Sequence, residues 1–224
     1  MRTQIEKWFS ILFFIIVLLE LITANTKSLL HVHYIVKPAI VISLIFLFTK
    51  TSGQLSKPIK RVTLLALIFS LLGDVLLMFV DMFQEFFTFG LIAFLLAHMM
   101  YILIFLKHIN RKESKLGFIA LLLIYALGLF YFLKDGLGDM LIPVVVYMIV
   151  ILTMATTAFL RQRNVNRLSY LLVFIGAICF MVSDSILALN KFYHPIPLSN
   201  ISIMITYALA QYLIVLGILK LKEK

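Results

Sequence analysis

Apolar residues fill this chain in eight long runs, separated by short polar connections that hold most of its charges. A helix needs about 20 mainly apolar residues to cross the hydrocarbon core of a bilayer. The runs predict spanning helices at 8–26, 33–49, 61–80, 87–106, 116–133, 141–160, 168–189 and 199–219. The second run is the most interrupted, because Lys37 and Pro38 stand near its start. Proline suits the first turn of a helix, where its missing N–H has no partner to lose, and a lysine stem can carry its ammonium to the interface. The connections leave no room for a soluble domain. Residues 1–224 are therefore expected to form a single transmembrane domain, with its function inside the helix bundle or at its rims. The first run, from Trp8, is preceded by Arg2 and Lys7 but followed by no small-residue cleavage site, so it reads as an anchor.

Composition agrees with lipid as the solvent. The 224 residues are 63% hydrophobic and 13% charged, and mean hydropathy is +1.09. A soluble domain of this size carries about 25% charged residues. The net charge of +10 sits in clusters between apolar runs, which is a topology signal and argues against nucleic-acid binding. Arg2 and Lys7, then Lys50, Lys57, Lys60 and Arg61, then Lys107, Arg111, Lys112 and Lys115 fall on one side. Arg161, Arg163 and Arg167, then Lys220, Lys222 and Lys224, join them, making 16 of the 20 basic residues. Lys27, Lys37, Lys134 and Lys191 are the 4 on the other side. The positive-inside rule then predicts an eight-helix all-α integral membrane bundle with both termini cytoplasmic.

Gly73-Asp74-Val75-Leu76-Leu77 in the third run echoes Ser183-Asp184-Ser185-Ile186-Leu187 in the seventh. The two runs point the same way, which permits a parallel four-plus-four repeat; chance likeness between apolar helices explains the match equally simply.

Ionisable groups inside spanning helices are expensive, face the bundle interior and tend to be functional. Seven of the 10 acids lie in connections or at helix ends, Glu113 and Glu223 among them; Glu20, Asp74 and Asp184 do not. At roughly 1.5 Å per residue, Asp74 lies about 5 Å and Asp184 about 8 Å to the outer side of the midplane. Glu20 lies at a similar depth, close enough to the outer interface that an exposed position is equally expected. His98, Tyr147, Tyr207 and Gln211 fall near the same level. Ser70 and Asp74 share a face, as do His98 and Tyr101, and Ser183 and Asn190 run beside Asp184. Gly73, Gly90, Gly176 and Ala177 beside these stripes would let helices approach closely. Each polar residue has a structural alternative. A buried Asp can simply bond a neighbouring helix, His98 can be a donor to the fold, and the tyrosines and Gln211 are often packing residues.

No metal site or cofactor is expected. His98 is the one deep histidine, while His31 and His33 are two apart and diverge on a helix, so nothing converges as a three-histidine zinc site requires. The one cysteine, Cys179, can form no disulfide within the chain and reads as a small packed core residue.

Ordered motifs then point to a family. They are Lys37-Pro38; Ser70-Leu71-Leu72-Gly73-Asp74; Phe89-Gly90, Phe94, Ala97-His98 and Tyr101; Pro143 and Tyr147; Gly176-Ala177-Ile178-Cys179-Phe180 with Ser183-Asp184; and Tyr207 with Gln211-Tyr212. In order and placement the chain resembles the lysoplasmalogenase family, called YhhN-like in bacteria. The resemblance implies an integral protein of the bacterial cytoplasmic membrane. It also implies hydrolysis of the vinyl-ether bond of a lysoplasmalogen, an ether lysophospholipid drawn from the bilayer, to a fatty aldehyde and a glycerophospho-alcohol. That chemistry needs a protonated carboxylic acid and a second carboxylate, for which Asp74 and Asp184 are the expected catalytic pair. Lys37 would meet the lipid phosphate, His98 and Tyr101 would orient water or the ether oxygen, and Tyr147, Ser183, Asn190, Tyr207 and Gln211 would complete the substrate-binding set.

Two other readings use the same residues. In a transporter or channel the acids would bind protons or a cation, although the helices lack the paired Gly/Pro breaks of discontinuous transporter helices. In a non-catalytic lipid-binding protein they would only hold the headgroup.

Overall fold

The computed structural model describes residues 2–112, 114 and 116–222. Lys115 and Lys224, on which the predicted orientation partly rests, and Glu113 and Glu223, read as acids outside the spans, lie outside the described residues. Among the described residues there are eight α-helices and no strand. They are α1 Arg2–Ala24, α2 Leu30–Thr51, α3 Lys57–Leu77, α4 Glu85–Leu106, α5 Leu116–Leu133, α6 Leu141–Phe159, α7 Arg167–Phe192 and α8 Ser199–Leu219.

Seven of the eight described helices are long and apolar enough to cross a membrane. The exception is α3, because Lys60, Arg61 and Asp74 all fall within any eighteen-residue stretch of it. This helix also starts four residues before the apolar run, on Lys57 and Pro58, with Ser56 in an extended conformation as its N-cap. Proline at the second helical position has no intrahelical N–H bond to lose. An apolar count cannot see such a polar first turn.

The reading of Pro38 as a first-turn residue is corrected by the structure. Helix α2 begins at Leu30, which places Pro38 in its interior. There it can give no N–H to the carbonyl one turn back, yet the helix continues to Thr51. Interior proline is tolerated in spanning helices, where neighbouring groups compensate the freed carbonyl.

The chain divides into two compact units, one ending at Met100 and the other beginning at Tyr101, so the boundary crosses α4. In the first unit α2 packs against both α1 and α3, with Phe13, Ile40, Leu44, Phe48 and Leu67 fully or almost fully buried. In the second, α7 packs along α8 and also meets α5 and α6, around Met154, Phe180, Ile214 and Val215. Large apolar side chains also line the outside: Trp8 is 73% and Ile142 74% exposed. A water-soluble protein does not cover its helices this way, whereas lipid contact requires it. Cys179 is half-buried rather than a core residue.

Candidate functional site

The first unit holds Asp74, Lys37 and His98 of the expected site. Asp74 is 3% exposed on α3 and His98 is fully buried on α4. Gly73 makes room for α4: a side chain there would meet the Phe94 ring at 2.6 Å. One at Gly90 would meet Leu77 at 2.8 Å. The glycines thus act as the close-approach positions their spacing predicted. Ser70 gives its hydroxyl to the Ala66 carbonyl at 2.9 Å, one turn back on its own helix.

Glu20 corrects the expectation of an exposed position as readily as a buried one. It is fully buried on α1, and both its carboxylate oxygens lie near His33 Nδ1 on α2, at 3.0 and 3.2 Å. Lys37 and Asp74 also lie within its electrostatic reach. Two histidines diverging on a helix gave no reason to single out His33. The signal was the helix hairpin itself: Glu20 stands one turn before the end of α1 and His33 one turn after the start of α2, so antiparallel packing brings them level.

The second unit holds the rest of the expected set. The Tyr147 hydroxyl on α6 donates to Asp184 Oδ2 on α7 at 2.6 Å, a length at the strong end for O–H···O bonds. Asp184 keeps part of its surface open. Tyr101 donates to Gln211 Oε1 at 2.8 Å, and Gln211 Nε2 reaches the Tyr207 oxygen at 3.5 Å, so these three residues form one buried string. Ser183 donates to the Ile203 carbonyl at 3.0 Å, tying α7 to α8. Asn190 Oδ1 accepts the Ile196 N–H at 2.9 Å and so holds the α7–α8 connection. Tyr125 and Ser185, not singled out in the sequence, are joined at 2.6 Å between α5 and α7. A polar tip in the middle of the apolar α5 run was the available sign. A cavity of about 400 Å³ opens beside Tyr131, Lys134, Asp135 and Tyr193, and neither Tyr147 nor Asp184 lines it.

Arg161, counted from sequence as a connection charge, is fully buried just beyond the end of α6. Its Nη2 donates to Ser169 Oγ at 3.0 Å, and Ser169 donates to the Gly217 carbonyl at 2.7 Å. The guanidinium lies 5.4 Å from the centre of the Phe105 ring, an attraction that strengthens away from water. Burial lowers its pKa to about 10, so the side chain still carries its charge at neutral pH. Among the described residues no three of His, Cys, Asp and Glu gather as metal ligands would.

The helices and their internal acids define an all-α integral membrane protein with ionisable groups buried in its spans. Residues 32–218 match the YhhN family, and the chain belongs to that family. It is 34% identical over 171 residues to human "Lysoplasmalogenase TMEM86A", covering 75% of this chain and 70% of that protein. It is 31% identical over 193 residues to the "Lysoplasmalogenase" of Mycobacterium bovis, covering 83% and 71% respectively. No solved structure matches the chain significantly.

Proposed function

We propose that this chain is a membrane-embedded hydrolase that cleaves the vinyl-ether bond of lysoplasmalogen-type lysophospholipids. The observation that carries the reading is its likeness, over most of its length, to human and mycobacterial proteins both named lysoplasmalogenase. The buried acids on spanning helices supply chemistry suited to it.

Hydrolysis begins when an acid gives a proton to the vinyl carbon remote from oxygen, leaving an oxocarbenium ion. Water adds to that cation and loses a proton to a carboxylate. As the resulting hemiacetal collapses, its hydroxyl returns a proton to the first carboxylate while the leaving oxygen takes the proton held by the second. A fatty aldehyde and the free glycerophospho-alcohol are released, one water is consumed and both carboxyl groups are regenerated. In this scheme Asp74 and Asp184 take the acid and base roles, with Tyr147 orienting the Asp184 carboxyl through its 2.6 Å bond. Two carboxyl groups in unlike surroundings can divide these tasks. Lys37 supplies a point charge for the lipid phosphate. His98 and the Tyr101–Gln211–Tyr207 string position water or the ether oxygen. The whole chain acts as one transmembrane domain with both termini on the cytoplasmic side, and its acids then meet lipid from the outer half of the bilayer.

The test is incubation of the purified protein with matched lysolipids carrying a vinyl-ether, saturated-ether or ester chain, followed by product mass spectrometry. Fatty aldehyde should appear from the vinyl ether alone. Intact lipid in every sample would overturn the proposal. Proton or cation flux in liposomes without lipid turnover would instead favour transport.

A further inference from the structure

The Glu20–His33 pair has no part in the scheme above, and Glu20 lies before the stretch that matches the family. A carboxylate on a spanning helix with no surface exposure is costly to keep ionised unless an opposite charge meets it. Here an imidazole, a base that can exchange a proton with it, meets it from the next helix, at 3.0 Å from one oxygen and 3.2 Å from the other. Thr23 gives its hydroxyl to the Glu20 main-chain carbonyl at 3.2 Å and also lies within reach of the Glu20 carboxylate. The burial is asymmetric: the His33 side chain is 15% exposed and that of Glu20 1%. One member of the pair therefore reaches the rim of the unit while the other lies inside it.

A histidine and a carboxylate in contact share protons as a unit. With one shared proton the pair is neutral whichever partner holds it, and losing that proton leaves a net negative charge inside the unit. The charges in reach of the pair are Lys37, on α2, and Asp74, on α3. His31 is exposed on the same helix as His33, and His98 is buried on α4. A change of charge on the pair is felt at Asp74 because a dry interior screens it weakly.

We propose that Glu20 and His33 are positioning residues for the hydrolysis. They form a two-group proton store, loaded through the partly exposed imidazole, whose charge governs the ionisation of Asp74. This inference rests on the hydrolase reading, but its structural half can be judged without activity.

The experiment uses the full-length protein in nanodiscs with its histidines labelled with ¹⁵N, as the parent and as Glu20→Gln, His33→Asn, Asp74→Asn and the Glu20→Gln/His33→Asn double variant. Imidazole titrations and the pH profile of aldehyde release from a vinyl-ether lysophospholipid are both recorded. The His33 titration should move by about half a pH unit or more in Glu20→Gln and by a smaller amount in Asp74→Asn. One limb of the activity profile should move in Glu20→Gln, and the double variant should lose no more rate than the worse single one, because the pair acts as a unit. A loss of correctly folded protein would scale the profile without moving it. An unmoved His33 titration in Glu20→Gln overturns the pair, and a scaled but unmoved profile overturns its role in catalysis. If the parent releases no aldehyde while the titrations remain linked, the hydrolase reading fails and the coupled proton store stands.

Discussion

In α3, Asp74 lies within reach of another carboxylate, Glu20, which in turn feels Lys37 and contacts His33. In α7, Asp184 is met by a neutral phenol, with Tyr147 donating at 2.6 Å. Both acids follow a small residue late in an apolar run, so local sequence gives them the same frame. Their surroundings work differently. Charges act over several ångströms and change with protonation, whereas a hydroxyl acts only in contact and fixes direction. The contrast extends to how each unit is held together. The second is stitched by neutral bonds between helices, Tyr101 to Gln211, Tyr125 to Ser185 and Ser183 to Ile203, and by the charged Arg161, which donates to Ser169 on α7. The first places an acid–imidazole pair between α1 and α2.

The comparison breaks most readily at the acids. Asp74→Asn and Asp184→Asn should each reduce aldehyde release by about 10²–10⁴-fold, the usual range for removing a general acid or base. Both proteins should remain monodisperse in detergent. Full activity in a folded Asp74→Asn protein would assign that acid to structure alone and leave Asp184 with the chemistry. Tyr147→Phe should cost less, about 10- to 100-fold, since it removes one hydrogen bond to an acid and no reacting group. Kinetics over a range of substrate concentration should place that loss in kcat rather than KM.

A smaller effect sharpens the contrast in packing. A side chain at Gly217 on α8 would meet Val173 at 2.6 Å and the Val173 main-chain nitrogen at 2.9 Å. One at Gly73 would meet the Phe94 ring at 2.6 Å, a side chain that can turn. Gly217→Ala should therefore destabilise by about 1–3 kcal/mol, the range for overpacking against fixed atoms. Gly73→Ala should cost less, and thermal unfolding of the two variants in the same detergent checks the order. An equal or larger loss for Gly73→Ala would mean that α4 cannot yield.

Much of this was legible because lipid imposes a simple grammar. Spans five and eight, 116–133 and 199–219, coincide with α5 and α8, since an apolar run that must satisfy its own main chain in lipid forms a helix, ended by charge or by the prolines before α8. The start of α3 was missed because its first turn is basic, and Pro38 was placed at a helix end because the turn before it carries His31 and His33. The residues of the candidate site stood out as polar exceptions on apolar faces, but their partners did not. Composition cannot tell that Asn190 holds a connection and Ser183 a neighbouring helix, because that depends on which face each helix presents. Nor could it place Arg161, which reads as an ordinary connection charge yet is fully buried.

The finest test concerns hydroxyls buried in each unit. Tyr101 is fully buried and joins α4 to α8 within the second unit by its 2.8 Å bond to Gln211. Thr63 is fully buried in the first unit and returns its hydroxyl to the Ile59 carbonyl on its own helix at 2.8 Å. A bond between helices is lost outright when its donor goes, whereas the Ile59 carbonyl lies in α3, whose main chain can serve it. Tyr101→Phe should lower stability by about 1 kcal/mol, the usual net worth of such a bond. Thr63→Val keeps the side-chain shape and should fall within about 0.5 kcal/mol of the parent. Paired unfolding curves in one detergent resolve the difference. Equal losses would mean that neutral bonds between helices do not distinguish the second unit, leaving the acid–imidazole pair in the first as the real contrast between them.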